Sequence, residues 1–198
     1  MEHAHALPRR PRPQPVAHPN GWWGTAIFVA SEATLFGTFI GSYYYLRFGT
    51  PHWPPSGTPE PRVVVPLILA GVLATTSLPM WLAARSVRRG GLWAARFLLV
   101  WALVVQVGYL VYEVHDYLHQ LHRSVPQDNA YSSIYYTLLG ADHVHVAVGA
   151  LLVVWLLWKL LRGLTMYRLN AVQAVAFYWH AVNLLTLIVT GVLLSATI

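Results

Sequence analysis

The 198-residue chain has no cysteine at all. Disulfides, thiolate metal sites and cysteine nucleophiles are therefore excluded. Charge is also scarce. Only 10% of the residues are Asp, Glu, Lys or Arg, against about a quarter in an ordinary soluble domain. So little polar surface leaves no room for a water-facing domain of any size. The H-E-x-x-H pair of one class of zinc protease is missing too. The formal charge of +6 comes from residues in short stretches between apolar runs. That placement argues against a nucleic-acid surface and for no nucleic-acid partner.

What is plentiful is apolar and aromatic. Hydrophobic residues make up 56% of the chain, with nine Trp and eleven Tyr. Such aromatics suit the two interfaces of a membrane protein. The stretch Gly21 to Phe48 is apolar for longer than the roughly 20 residues that cross a bilayer core. Near its middle stands Glu32. A carboxylate at that depth is costly and should face protein or water.

Residues 1–20 are rich in Pro, Arg and His without apolar periodicity, and read as a disordered tail. Residues 21–198 read as an all-α integral membrane domain, a bundle of five transmembrane helices. Their expected spans are 22–47, 63–85, 93–117, 134–161 and 171–196. Gly37 and Gly41 form a G-x-x-x-G on the first, read here as ordinary bundle packing. Pro79 should kink the second, with Thr75, Thr76 and Ser77 satisfying the carbonyls it frees. His115, His119 and His122 follow an i, i+4, i+7 spacing at the end of the third. They read as a polar helix end at the water interface rather than a metal site. Basic residues gather before the first helix and in the second and fourth connections. The positive-inside rule then puts the N-terminus in the cytoplasm and the C-terminus outside.

Depth reckoned at 1.5 Å per residue brings several polar side chains to one level near mid-bilayer. These are Glu32, Asp142, His145 and His180, with Asn183 close by. Isolated, each would cost several kcal/mol in hydrocarbon, so they should meet one another or water. Glu32, His145 and His180 are expected inside the bundle. The layer reads either as glue between helices or as a proton-linked site. Three function classes compete: a non-catalytic subunit of a larger membrane complex, a haem-bearing protein of the cytochrome b type with His145 and His180 as a candidate ligand pair, and a transporter or intramembrane enzyme. Five helices do not divide into the inverted repeats of many transporters.

These residues also resemble subunit III of the haem-copper oxidases. Ser31 and Glu32 open an apolar, aromatic-rich run as in that family. Trp53 to Pro55 and the LATTS helix resemble its next block. Gln106 stands where a Gln is usual. The stretch NAYSSIYYTLLGADHVHVAVG ends in the family's H-V-x-x-G, here His145, Val146 and Gly149. Tyr178 to His180 match the Y-W-H of the last helix. Five such signals in order cover nearly everything from Trp22 onward. The resemblance implies a five-helix bacterial member without the first two helices of the longer forms. It implies a multi-pass protein of the bacterial plasma membrane that supports subunit I stability and proton uptake in a proton-pumping terminal oxidase. No haem, copper, other metal or catalytic centre is implied on this chain. Haems and copper are expected in partner subunits I and II, and phospholipid is an expected ligand. Glu32 falls at the family's buried, carbodiimide-reactive carboxylate. An accessory protein of a nitric oxide reductase is the alternative the resemblance leaves. Departures are clear at Asp142, where a His is common, at Asn183 for Asp, at Gln173 for Glu, and at Tyr109 for Glu, with Glu113 a turn later.

Overall fold

The computed structural model describes residues 20–58, 64–122, 125–163 and 165–197. The expected tail falls outside them, apart from Asn20. Among the described residues there are six α-helices: α1 Asn20–Phe48, α2 Val64–Thr75, α3 Ser77–Arg88, α4 Leu92–Leu121, α5 Ala130–Leu161 and α6 Met166–Leu194. A short 3-10 turn, Ser195–Thr197, ends the described chain. Because α2 and α3 run on as one span, five segments among the described residues are long and apolar enough to cross a membrane. The fold is thus the expected all-α bundle. The helices α5 and α6 pack on each other at its heart, with α1 on one side and α2, α3 and α4 on the other.

Local chemistry sets the helix ends. Asn129 is extended, and its side chain accepts the Ser132 amide at 2.8 Å, so α5 starts at Ala130 rather than at the expected residue 134. Thr165 does the same for the Arg168 amide at 3.3 Å. Gly90 and Gly163 take positive φ, +79° and +93°, in the α3–α4 and α5–α6 turns. There Arg168 donates to the carbonyls of Arg162 and Gly163, each at 2.6 Å. Arg96 donates to the Leu160 carbonyl at 2.6 Å. These cations thus satisfy orphan carbonyls at a helix C-terminus. Arg162 also lies 4.2 Å over the Trp158 ring and Arg85 5.3 Å over Trp81, the arrangement of an interfacial aromatic belt.

The span from Val64 to Arg88 breaks at Thr76. Pro79 has no N–H for the Thr75 carbonyl. The hydroxyls answer differently from expectation: Thr75 donates to Val72 at 2.6 Å and Thr76 to Leu73. Ser77 instead accepts a bond from α6. The G-x-x-x-G reading is also corrected. A Cβ at Gly37 or Gly41 would meet nothing within 4 Å, so that face of α1 packs on no described helix. Elsewhere a glycine is essential: a Cβ at Gly149 would lie 2.3 Å from the Trp179 ring. That contact locks α5 to α6, and small residues serve this purpose where lipid leaves no hydrophobic drive between helices.

Two apolar clusters fill the bundle. One joins α2 to α6 around Leu73, Leu99, Val146, Leu156 and Trp179. The other joins α1, α5 and α6 around Phe36, Tyr43, Leu138 and Val189. Trp53, from the loop after α1, caps the second, edge-on to Tyr43 and Tyr131 at 5.4 and 5.0 Å.

Candidate functional site

The polar residues of α5 share one level but not one cluster. Successive residues turn about 100° around a helix axis. Asp142, His143 and His145 therefore point in three directions, each at a different helix. Asp142 accepts the Thr186 hydroxyl of α6 at 2.8 Å. His143 sets its Nε2 3.5 Å from Glu113 Oε2 of α4. His145 sets its Nε2 2.9 Å from Glu32 Oε2 of α1. The expected layer is three spokes radiating from one helix.

The contacts of the Glu32–His145 spoke constrain where its hydrogens can sit. His145 Nδ1 lies 2.7 Å from the Ala141 carbonyl. A carbonyl only accepts, so Nδ1 carries a hydrogen. Nε2 then faces Glu32 in one of two ways. A neutral ring accepts from a carboxylic acid, or an imidazolium donates to a carboxylate. Both place one proton on the line between the two side chains. Phe36 closes over the ring edge-on at 5.1 Å, and Tyr178 donates to the His145 carbonyl at 3.1 Å. The Glu32 and His145 side chains keep 19% and 14% of their exposure, so the pair sits at the edge of the bundle rather than in its dry centre.

Other expected members go elsewhere. Asn183 donates to Ser77 at 2.7 Å and to Thr76 at 3.3 Å. Trp179 Nε1 donates to the same Thr76 hydroxyl at 2.7 Å. This group closes the α2–α3 break and does not join the layer. His180 is half-buried and makes no side-chain hydrogen bond with the described residues, so it is not a buried member. It does not pair with His145, both of whose ring nitrogens face protein oxygens. The facing pair a haem needs is therefore not formed. His115 and His119 are exposed on α4. Among the described residues no three His, Asp or Glu side chains gather into a metal-binding group.

Glu113 and Thr186 were not anticipated. With the third span ended near residue 117, Glu113 reads as part of a wet helix end. In fact α4 continues to Leu121 and Glu113 is buried, 5% exposed. The signal was present in the sequence: Glu113 stands seven residues after Gln106 and so shares its face.

The sequence matches the family model described as "Cytochrome c oxidase subunit III" over residues 17–194. This chain belongs to the cytochrome c oxidase subunit III family. A cytochrome c oxidase subunit 3 of Alkalihalophilus pseudofirmus is 29% identical over 187 residues, 89% of this chain and 87% of that protein. A quinol oxidase subunit 3 of Bacillus subtilis is 26% identical over 88% of this chain and 85% of its own length. A heme-copper oxidase subunit I+III of Aeropyrum pernix is 30% identical over 80% of this chain and 20% of its own. Five spans and this membership make the chain a multi-pass membrane protein of the haem-copper oxidase subunit III kind. Within the subunit III fold, Glu32 and His145 join α1 to α5, and Tyr178 of the Y-W-H signature steadies the second of them.

Proposed function

We propose that this chain is the non-catalytic subunit III of a proton-pumping terminal oxidase in a bacterial plasma membrane. It binds beside subunit I, stabilises it and sustains its proton uptake, with no turnover of its own. The observation that carries this reading is the family match across all five spans, with Glu32 held by His145 between α1 and α5. The pair lies at an edge of the bundle open to a partner. Subunit I is the partner this reading names. A relative named as subunit I+III supports that proximity. Relatives named for cytochrome c and for quinol oxidases align over the same helices, as fits a subunit remote from the electron donor. Haems and copper belong to the partner subunits, and phospholipid fills the apolar outer faces.

A mild-detergent pull-down of the tagged chain tests this, with a visible spectrum of the eluate and mass spectrometry of its proteins. Co-purification of a haem-copper subunit I, with no haem retained on this chain after separation, is expected. Haem that stays with this chain alone overturns the reading. In the assembled complex, Glu32→Gln is expected to alter proton uptake only modestly.

A further inference from the structure

The second span consists of two half-helices of equal length, α2 and α3, and the ladder of backbone hydrogen bonds stops between them. The Thr76 N–H turns back to the Leu73 carbonyl at 3.0 Å, and regular spacing resumes with the Met80 N–H on the Thr76 carbonyl at 3.2 Å. Pro79 has no N–H to bridge the gap. No backbone bond from Ser77 or Leu78 to α2 replaces it. Thr76 keeps helical dihedrals, φ −65° and ψ −16°. The join is thus a run of missing bonds and not a strained turn, and helices bend at such interruptions.

The two halves differ in anchorage. Of the twelve residues of α3, five are buried, among them Met80, Ala83 and Val87, and the helix packs along both α4 and α6. Asn183 of α6 fastens Ser77 at 2.7 Å, and Trp179 fastens Thr76 at the same distance. The twelve residues of α2 bury only Ala70 and Leu73, both in its second half. Val64, Val65, Leu67 and Ile68 are exposed. Its one hydroxyl, that of Thr75, bonds the Val72 carbonyl of its own helix. Among the described residues α2 therefore makes no side-chain hydrogen bond to another helix. Few buried apolar contacts and no such cross-links mark a segment of low local stability.

The loosely held end covers ionisable groups. The helix α2 touches both α4 and α6, whose backbones do not meet among the described residues. Beneath its first turn lies a cavity of about 30 Å³, walled by Pro66 of α2, Tyr109 and Glu113 of α4, Asp142 of α5 and Thr190 of α6. That is room for a water or two. Glu113 and Asp142 are 5% and 2% exposed, and the hydroxyls of Thr186 and Tyr109 bond Asp142. We infer that α2 is a gate. Pivoting at Thr76 against a fixed α3, it swings its Val64–Ile68 end away from α4 and α6. The cavity then opens at the face that carries the α4–α5 connection and admits water, with the protons it carries, to Glu113 and Asp142. The structure holds the closed position. A half-helix of twelve residues is about 18 Å long, so a tilt of about 20° at the join moves its far end about 6 Å. Such a displacement is ample for water.

The chain has no cysteine, so spin labels attach only where thiols are introduced. In the full chain reconstituted into lipid nanodiscs, Ile68→Cys with Val111→Cys spans α2 and α4. Leu78→Cys with Val104→Cys spans α3 and α4, and all four positions are exposed. Pulsed electron–electron double resonance is expected to give a narrow distribution for the α3 pair. For the α2 pair it is expected to show a second population about 6 Å longer, the displacement of the gate. Leu139→Cys places a thiol on the cavity wall. Its reaction with Ag+ is followed by the loss of maleimide labelling after denaturation. That reaction is expected to proceed in the otherwise unaltered chain and to slow several-fold when Pro79→Ala, which restores a donor for the Thr75 carbonyl, is added. Equal widths for the two pairs would show a rigid span and end the proposal. A mobile α2 pair with a thiol at position 139 that Ag+ never reaches would leave α2 without a gating role and overturn it too. An unchanged Ag+ rate in a Pro79→Ala chain whose α3 pair stays narrow would remove the Thr76 join as the pivot.

Discussion

At the scale of single residues, the hydrogen bonds separate side chains of similar depth by what they do. Glu32 is bound by one partner, His145 Nε2. A glutamine there can donate its amide to a neutral ring, so Glu32→Gln is expected to cost less than about 1 kcal/mol of stability. Glu32→Ala leaves Nε2 unpaired and is expected to cost about 1–3 kcal/mol. Thermal unfolding of the detergent-solubilised complex distinguishes the two. His180 presents the opposite case. Its place in the polar layer implied that His180→Leu would strand buried partners, yet it has none among the described residues. The variant is therefore expected to leave subunit retention unchanged. Gly149 has the tightest surroundings of the glycines among the described residues. Its Cβ would lie 2.3 Å from Cζ3 and 2.5 Å from Cε3 of Trp179, a ring with no exposure. Gly149→Ala is expected to destabilise by about 1–3 kcal/mol through overpacking. A melting temperature equal to that of the unaltered protein would show that the ring can give way.

At the scale of elements, the break between α2 and α3 is the most informative. Pro79 frees a carbonyl, but the break persists because α6 fastens it. Trp179 and Asn183 both reach the Thr76 hydroxyl, which in turn donates to Leu73. Thr76→Val keeps the shape and removes the hydroxyl. It leaves the buried indole N–H of Trp179 without an acceptor, at an expected cost of about 1–3 kcal/mol. Asn183→Ala leaves the indole bond intact and is expected to cost less, since Ser77 is only partly buried. Comparing the two variants by thermal unfolding checks this order; a larger loss for Asn183→Ala would contradict it.

At the scale of the whole molecule, coverage is uneven. The helix α6 buries eleven residues and α1 only Phe36 and Tyr43. Thus α1 is held mainly along its contacts with α5 and α6, and its G-x-x-x-G face is bare. Amide hydrogen exchange on the isolated chain in detergent is expected to show α1 as the least protected span and α6 as the most. In the assembled oxidase α1 is expected to gain the most protection. Equal protection of the two helices in the isolated chain would count against α1 as the partner-facing element.

By itself the sequence determined the class, the number of spans and the family. These rest on composition, on apolar runs of bilayer length and on short motifs, all of which are local. It also placed Glu32 and His145 at one depth, because helix rise converts sequence distance into depth. What it did not determine was direction around each helix axis once the neighbours are packed. Only the tertiary structure decided that Asp142, His143 and His145 face three different helices, that Asn183 serves the α2–α3 break, and that His180 makes no side-chain hydrogen bond with the described residues. Depth comes from counting residues along one helix. Partnership depends on the rotation and crossing of two helices, and those are set by contacts such as Gly149 on Trp179 between residues far apart in the chain.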